Sequence, residues 1–284
     1  MKDYFERLDR PEMTYYRETY DNSPKWDGSS LAGKRILVYC EQGMGDTIQF
    51  SRYFKYLDGH VTLHCQAPLM ELMMGIEGVD AVCDKLDDNL PDHDCHTLSL
   101  SLPFLLKRVE ATLPYIRAWA NPEVMDEDGF KVGICWEGSP DNKMNLDRSC
   151  PLAFFKDLPG KKFMLQSETH LPQLQEGCDE MELFGVEITD MKDTASLIAA
   201  MDVVVSVDTA VLHLSAAMGK PTMGLLCRKP DARWSVWDWY DTLELFSQEK
   251  AGEWNVVFEQ VKTYLKVHHG ERIKSISETT SRDC

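Results

Sequence analysis

The stretch that decides the fold is VVVSVDTAVLHLSAAMGKPTMGLL, residues 203–226. Its β-branched run from Val203 to Val207 is typical of a strand buried on both faces of a parallel sheet. Asp208 and Thr209 follow and are good helix-starting residues. Apolar residues then recur at helical spacing until Gly219 ends the pattern, and a second apolar strand follows. The stretch therefore predicts a βαβ unit.

The turn between the first strand and the helix carries four polar residues: Ser206, Asp208, Thr209 and, one helical turn on, His213. In an open α/β sheet, ligands bind just beyond the carboxyl ends of the strands, where this turn must lie. The free N–H groups of a helix start suit a diphosphate, and the Thr209 hydroxyl adds a donor. His213 lies four residues after Thr209, on the same helical face, and could donate to a phosphate oxygen. The alternative is a core histidine whose hydrogen bonds are satisfied within the protein.

A second strand and turn occur earlier in the chain. The segment from Lys34 to Cys40 reads as a buried strand, and Gly43, Gly45 and Asp46 stand between it and a helix with one apolar stripe. Glycines allow a tight turn or a close approach to a ligand, although this pattern is not the dinucleotide-binding fingerprint. Asp46 is also a good helix N-cap, which needs no catalytic role.

Composition limits the possible functions. The chain has 284 residues, 43% hydrophobic and 27% charged, which predicts a globular protein of two domains. It shows neither an apolar run of membrane-spanning length nor a signal peptide, and its nine cysteines lack zinc or CxxC spacing. We therefore expect a cytoplasmic protein with reduced thiols and no membrane span. The net charge of −17 disfavours nucleic acid and anionic lipid as partners.

The order of predicted elements gives the domain organisation. A polar segment from Asn121 to Asp128 makes a reasonable linker between two successive halves of alternating strands and helices. We predict an α/β fold with two Rossmann-like domains facing each other across a cleft. The predicted bounds are a lead-in at 1–30, domains at 31–125 and 126–250, a helix at 251–267 and a disordered tail at 268–284.

Basic residues near the second domain's turns are candidates for binding an anion. Lys143 and Arg148 lie in the loop after Trp136, where cations could bind an anion, although a solvated loop explains them as well. Arg233 stands beside Trp234, a pair that suits a nucleobase and its phosphates, but Trp234 could also be core. Neither a catalytic triad motif nor a cluster with metal-ligand spacing is present, so we expect no metal and no cofactor.

Four motifs in order resemble a known family. They are EQGMGDTIQFSRYFKYL, CWEGSPDN with DRSCPL, TASLIAAMDVVVSVDTAVLHLSAAMGKP and the Trp-rich DARWSVWDWY. They resemble the glycosyltransferase family 9 domains often found behind tetratricopeptide repeats in bacteria, which are relatives of ADP-heptose:lipopolysaccharide heptosyltransferases. The resemblance runs from about Trp26 to Leu265, and the sequence lacks the repeat array that such proteins often carry.

The resemblance implies a GT-B fold with the donor held mainly by the second domain and a C-terminal helix crossing back to the first. It implies inverting, metal-independent transfer of a sugar from a nucleotide-sugar donor to an acceptor hydroxyl. In that mechanism Asp46 is the base that deprotonates the acceptor, and His213 stabilises the leaving diphosphate. The remaining candidates are donor-binding: Gly43, Gly45, Trp136, Lys143, Arg148, Ser206, Asp208, Thr209, Arg233 and Trp234.

Two alternatives remain open on the same fold. One is a nucleotide-sugar epimerase or hydrolase, which needs no acceptor. The other is a binding module that keeps the donor pocket and has lost transfer. The acceptor is unknown and could be a glycan, a lipid-linked glycan, a protein side chain or a modified nucleic acid, and the acidic surface makes the last a poor candidate.

Overall fold

The computed structural model describes residues 14, 16, 23–87, 89–108, 113–125, 127–140, 142, 144–166, 183–184, 187–236 and 238–280. The chain forms two compact units, Met1–Tyr115 and Ile116–Cys284, each with its own parallel sheet. The predicted α/β fold with two Rossmann-like domains is confirmed. None of the helices described combines the length and the apolar composition that crossing a bilayer requires.

Unit 1 has four parallel strands in the order β3-β2-β1-β4. Their bounds are β1 Arg35–Tyr39, β2 His60–Cys65, β3 Ala81–Asp84 and β4 Cys95–Leu98. The helices are α1 Met44–Phe50, α2 Met70–Met73 and α3 Leu102–Leu105, with short 3-10 turns beside them. β1 is buried from its second residue onward, as its apolar run predicts. The strand order reverses direction between β1 and β4, which places the turn after β1 at the crevice of this sheet.

Residues before β1 belong to the core of unit 1. Tyr16 is 4% exposed, and its ring stacks on Tyr39 with centroids 5.6 Å apart and meets His96 edge-on. Lys25 forms a parallel bridge with His96, so the segment lies alongside β4. Leu98 shares the Tyr16 cluster. Within the described part of the predicted lead-in, Tyr16 therefore packs on one face of the sheet and Lys25 lies along the β4 strand.

Unit 2 has six parallel strands in the order β10-β9-β8-β5-β6-β7. Their bounds are β5 Lys131–Cys135, β6 Lys161–Met164, β7 Leu183–Phe184, β8 Val203–Val207, β9 Thr222–Leu226 and β10 Leu243–Ser247. The helices are α4 Pro122–Met125, α5 Asn145–Arg148, α6 Met191–Ala200, α7 Ala210–Ala217, α8 Arg233–Val236 and α9 Trp254–Thr280. Counted within the unit, this is the 6-5-4-1-2-3 order of dinucleotide-binding folds, and it reverses between β5 and β8.

The βαβ unit that decides the fold is present as β8, α7 and β9. All five residues of β8 are buried, as expected for a strand covered on both faces. Gly219 has a φ of 71°, the left-handed conformation that ends helices and that glycine adopts at little cost. The predicted helix stop is therefore confirmed.

The last helix is longer than predicted. α9 places Trp254, Val257, Val261 and Leu265 in the core of unit 2 and then continues to Thr280. The sequence predicted disorder from residue 268, but extending a helix that tertiary packing has already nucleated requires no new nucleus. His269 also contacts Phe130, with ring centroids 5.6 Å apart. Residues 281–284 lie outside the described part of the chain, and the predicted crossing back to the first domain stays a prediction.

Candidate functional site

The predicted turns of unit 2 meet where its strand order reverses. β5 and β8 are neighbouring strands, so the turns after them, 136–138 and 208–209, lie at the same edge of the sheet. The Cys135 Sγ is 3.5 Å from the Thr209 Oγ1 and links the two turns directly. Ligands of open α/β folds bind in the crevice at such a reversal. This edge is the candidate site of unit 2.

The turn after β8 leads into the N-terminus of α7, where backbone N–H groups can bind an anion. The Ser206 hydroxyl donates to the Val207 carbonyl oxygen at 2.8 Å and lies 3.0 Å from the Thr209 hydroxyl. Thr209 is the N-cap residue of α7, and its side chain makes no capping hydrogen bond with any described residue. The first N–H groups of α7 therefore lack a side-chain cap, the arrangement that binds phosphate at helix N-termini.

His213 lies one turn into α7 and is 3% exposed. Its Nδ1 is 2.9 Å from the hydroxyl of Tyr240, and its ring stacks on Trp234 with centroids 5.1 Å apart. The histidine is thus held in one orientation by an aromatic face and a hydrogen bond. Trp234 therefore packs on His213 and does not belong to the central core of unit 2. Tyr240 was not predicted; the only signal was its place at the end of the Trp-rich motif.

Asp208 stands among groups of both charges. Burial raises the pKa of its carboxyl group, while the Trp234 indole, Arg233 and Arg148 act in the opposite direction. Arg233 is also paired with Asp231, its Nε 3.2 Å from a carboxylate oxygen. The structure therefore brings Asp208 together with three of the predicted donor-binding residues.

The turn after β5 is fixed by a side chain from the next strand. The Oε1 of Gln166, just beyond β6, accepts from the Trp136 N–H at 2.6 Å and the Glu137 N–H at 3.0 Å. The Trp136 indole is fully buried in the core cluster of unit 2, so its backbone is the part that shapes this turn. Whether Trp136 contributes to donor binding stays a prediction. Gln166 was not predicted, although a polar residue directly after an apolar strand was a usable signal.

Arg148 lies against the same turn. A side chain on Gly138 would overlap the Arg148 guanidinium group, so the glycine allows the close approach. Asn145, which is buried, accepts from the Gly138 N–H and the Ser149 hydroxyl, each at 3.1 Å, and ties the loop together. The Arg148 Nε is buried and has no acceptor among the described residues. Lys143 lies outside the described part of the chain, so its predicted role stays a prediction.

In unit 1, Asp46 occupies the third position of α1 and is 8% exposed. Its Oδ2 accepts from the Gly43 N–H at 3.0 Å, which completes a capping arrangement. Gly43 has an ordinary φ of −85°, and the left-handed residue of the turn is Gln42, with a φ of 64°. Gly45 lies inside α1. The N-cap residue of α1 is therefore Gly43 and not Asp46, which closes the first turn from the third helical position. The catalytic role of Asp46 and the donor contacts of the glycines stay predictions.

Two side chains from neighbouring strand ends fix the turn before Asp46. The Gln66 amide donates to the Gln42 carbonyl oxygen at 3.0 Å and accepts from the Thr47 hydroxyl at 3.0 Å. The Lys85 Nζ donates to the Cys40 carbonyl oxygen at 3.3 Å, and burial lowers the pKa of this lysine. The carboxylate is thus held on a well-supported turn.

Within the described ranges, no group of three or more His, Cys, Asp or Glu side chains is placed to hold a metal ion. The expectation that neither a metal nor a cofactor takes part stays a prediction.

Solved structures with the same fold are heptosyltransferases and other glycosyltransferases. The chain has a TM-score of 0.57 to the glycosyl transferase family 9 protein of Veillonella parvula, at 12% identity over 84% of this chain and 91% of that one. It has a TM-score of 0.55 to the E. coli heptosyltransferase WaaC with ADP, at 11% identity over 84% of this chain and 99% of that one. The chain therefore shares the GT-B fold of these proteins.

The sequence comparisons agree with the fold. Residues 158–257 match the family described as Glycosyltransferase family 9 (heptosyltransferase), so the predicted resemblance is confirmed. The chain is also 24% identical over 286 residues to Protein FlbA of Caulobacter vibrioides, covering 85% of this chain. It spans 48% of that protein's length.

Proposed function

We propose that this chain is the catalytic part of a glycosyltransferase that moves a sugar from a nucleotide-sugar donor to an acceptor hydroxyl. The observation that carries the proposal is the site at the β5–β8 reversal, where Arg148, the start of α7 and His213 surround one edge of the sheet. This is the position where α/β folds bind nucleotides. The family match over residues 158–257 covers the β8–α7 part of that site.

The residues of unit 2 are suited to stabilise a diphosphate leaving group. As the bond from the sugar's anomeric carbon to the diphosphate breaks, the electron pair moves to a phosphate oxygen and negative charge builds there. The uncapped N–H groups of α7 and the Arg148 guanidinium group are fixed in advance near that charge. His213, oriented by Tyr240, adds a hydrogen-bond donor. We propose that these groups take the place of a metal ion, so that transfer is metal-independent.

Asp46 supplies the base in this proposal. Its carboxylate takes the proton of the acceptor hydroxyl as that oxygen attacks the anomeric carbon from the face opposite the diphosphate, so the configuration inverts. The carboxylate is held in place by the capping bond to Gly43 and by the Gln66 and Lys85 supports of the turn. A fixed base favours reaction because less reorganisation is needed in the transition state.

The capping bond also favours a second candidate, a binding module without transfer. Asp46 has a complete structural use in closing the first turn of α1, since its Oδ2 accepts from the Gly43 N–H. A donor pocket in unit 2 would work equally well in such a module. The two functions differ in whether sugar is transferred, and in this proposal transfer requires Asp46 to remove a proton.

The substitution Asp46→Asn separates them because an asparagine oxygen keeps the cap and the side chain cannot act as a base. We expect the melting temperature and nucleotide binding to stay near wild type while sugar transfer falls by about 10²- to 10⁴-fold. Donors are first found by thermal shift with a panel of nucleoside diphosphates and nucleotide sugars, and transfer is then followed by mass spectrometry.

Each candidate has an outcome that removes it. Unchanged transfer in Asp46→Asn excludes Asp46 as the base, and no transfer by wild type with any acceptor leaves the binding module. If no nucleotide raises the melting temperature, the donor site itself is wrong, because a ligand of the folded state must stabilise it.

A further inference from the structure

The side-chain oxygen of Gln166 is hydrogen-bonded, whereas its side-chain nitrogen has no partner among the described residues. The side chain is 5% exposed. Its oxygen receives two backbone N–H groups, those of Trp136 and Glu137. Its Nε2 is buried and has no acceptor among the described residues. Buried amide donors are normally paired, so an open one needs an explanation.

The orientation of this amide follows from its partners. Both neighbours of the Oε1 atom are backbone N–H groups, which can only donate, so the atom facing them must be the acceptor. Exchanging oxygen and nitrogen would place donor against donor at 2.6 Å and 3.0 Å. The open atom is therefore an N–H₂ group.

Holding the turn does not require that N–H₂ group. A carboxylate would accept the same two N–H groups and would form stronger, charge-assisted bonds. What an amide offers beyond a carboxylate is a neutral charge and a second group that donates. Both properties suit a ligand that is negative or rich in acceptor oxygens.

The place of Gln166 agrees with such a ligand. It follows β6, the neighbour of β5 on the side away from β8, and it contacts the turn that ends at Gly138. Arg148 lies against Gly138 and has a second buried donor, its Nε, without an acceptor among the described residues. Two open donors thus belong to side chains that contact one turn at the edge where nucleotides bind.

We propose that Gln166 is a donor-binding residue, whose Oε1 fixes the Trp136–Glu137 turn while its Nε2 donates a hydrogen bond to an oxygen of the bound nucleotide. That oxygen belongs to a ribose hydroxyl or to a phosphate. The inference rests on the proposed function, because it requires a nucleotide in the unit 2 site.

The test compares Gln166→Glu with wild type in the full chain. The variant keeps the acceptor for both N–H groups and loses the donor. Isothermal titration uses whichever nucleoside diphosphate of ADP, GDP, UDP and dTDP the wild type binds. We expect the dissociation constant to rise about tenfold or more, with the melting temperature of the free protein within a few degrees of wild type.

Gln248→Glu is the matched control. Gln248 is also buried, its Oε1 accepts from the Gly252 N–H at 3.2 Å, and its Nε2 likewise lacks an acceptor among the described residues. It follows β10, an edge strand two strands away from β8. The control adds the same charge to the same unit and should leave the affinity unchanged. An equal loss in both variants would overturn the proposal.

The remaining arms keep the result interpretable. Gln166→Met is neutral and lacks both the donor and the acceptor of the two N–H groups, so it should also bind more weakly. If Gln166→Glu does not fold, wild-type affinity in a folded Gln166→Met variant overturns the proposal. A folded Gln166→Glu variant with wild-type affinity overturns it as well. With pyrophosphate as ligand, a persisting difference assigns the bond to phosphate; a difference that disappears with a 2′,3′-dideoxynucleotide assigns it to ribose. If the wild type binds no nucleotide at all, the proposed function fails together with this inference.

Discussion

At the scale of single residues, the site of unit 2 shows a carboxyl group in an unfavourable position. Burial raises the pKa of Asp208, so its charged form is less stable in the folded protein than in the unfolded chain. The stability this group contributes is therefore present below its unfolded pKa and lost as the pH rises through the higher folded value. At neutral pH the charged, buried carboxylate therefore lowers the free energy of unfolding of the ligand-free protein. Residues of binding sites are often unfavourable for stability in this way.

We expect Asp208→Asn to raise the melting temperature of the ligand-free protein at pH 7 by a few degrees, since each kcal/mol shifts it by about 2–4 °C in a chain of this size. The asparagine stays neutral and can still accept a hydrogen bond. The gain should shrink as the pH is lowered, because the wild-type carboxyl becomes neutral too. Scanning calorimetry from pH 7 to pH 4 checks this.

Asp193→Asn provides the control of opposite sign. The pKa of Asp193 is lowered, first by hydrogen bonds from Thr189, so its contribution to stability is present at neutral pH and lost as the pH falls. This variant should melt below wild type at pH 7 and approach it in acid. A gain for Asp193→Asn, or a loss for Asp208→Asn, would contradict the account of these two carboxylates.

At the scale of elements, the sequence correctly predicted the strands and helices whose formation depends on residues close together in the chain. The strand, helix and strand of residues 203–226 follow from an apolar run, helical spacing and a glycine stop, and all three elements are present. The supports of the site were not predictable in this way. Gln166 and Tyr240 acquire their roles from partners 27 to 30 residues away, which the fold brings close. Asn145 acquires its role within its own loop, from Gly138 and Ser149. The pattern of apolar and polar residues along a segment does not show which distant residues its side chains will contact.

One turn at this scale allows a sharp test. Gly160 precedes β6 with a φ of 89°, and a side chain there would overlap the carbonyl oxygen of Phe130. Gly252 has a similar φ of 81° but open space around it. In both Gly→Ala variants, an alanine in the left-handed backbone conformation destabilises the folded protein by about 1–2 kcal/mol. We expect Gly252→Ala to lose that amount in urea unfolding, and Gly160→Ala to lose at least about 3 kcal/mol because backbone cannot move aside cheaply.

Equal losses in the two variants would show that Phe130 yields to the added methyl group and that the overlap costs little. Because both glycines lie in unit 2, the comparison is made within one compact unit.

At the scale of the whole molecule, the two units have separate roles in the proposed reaction. The groups assigned to the diphosphate belong to unit 2, and the proposed base belongs to unit 1. In this proposal, a chain with a net charge of −17 binds an anionic donor through a few placed groups, since its overall field repels anions. The proposal therefore relies on Arg148 and the start of α7 more than their number suggests.

Hydrogen exchange on the full chain tests this division. At a nucleoside diphosphate concentration of about 100 times Kd, binding stabilises the bound state by about 2.7 kcal/mol. We therefore expect amides at 135–138 and 208–213 to exchange up to about a hundredfold more slowly. Amides at 43–47 should change only with the complete nucleotide sugar, if Gly43 and Gly45 contact the donor as predicted. Protection of 43–47 by the diphosphate alone, with none at 208–213, would reverse the assignment.

The burial of Tyr16 has a practical consequence for anyone who divides this protein into modules. Alignment to a Rossmann-like pattern places the start of the first domain at the strand Arg35–Tyr39, yet Tyr16 covers Tyr39 and His96 from nineteen or more residues upstream. A fragment or fusion that begins at residue 31 would lack Tyr16 and would expose the Tyr39 ring, which is buried in the intact chain. The boundary of the first domain therefore lies ahead of its first strand.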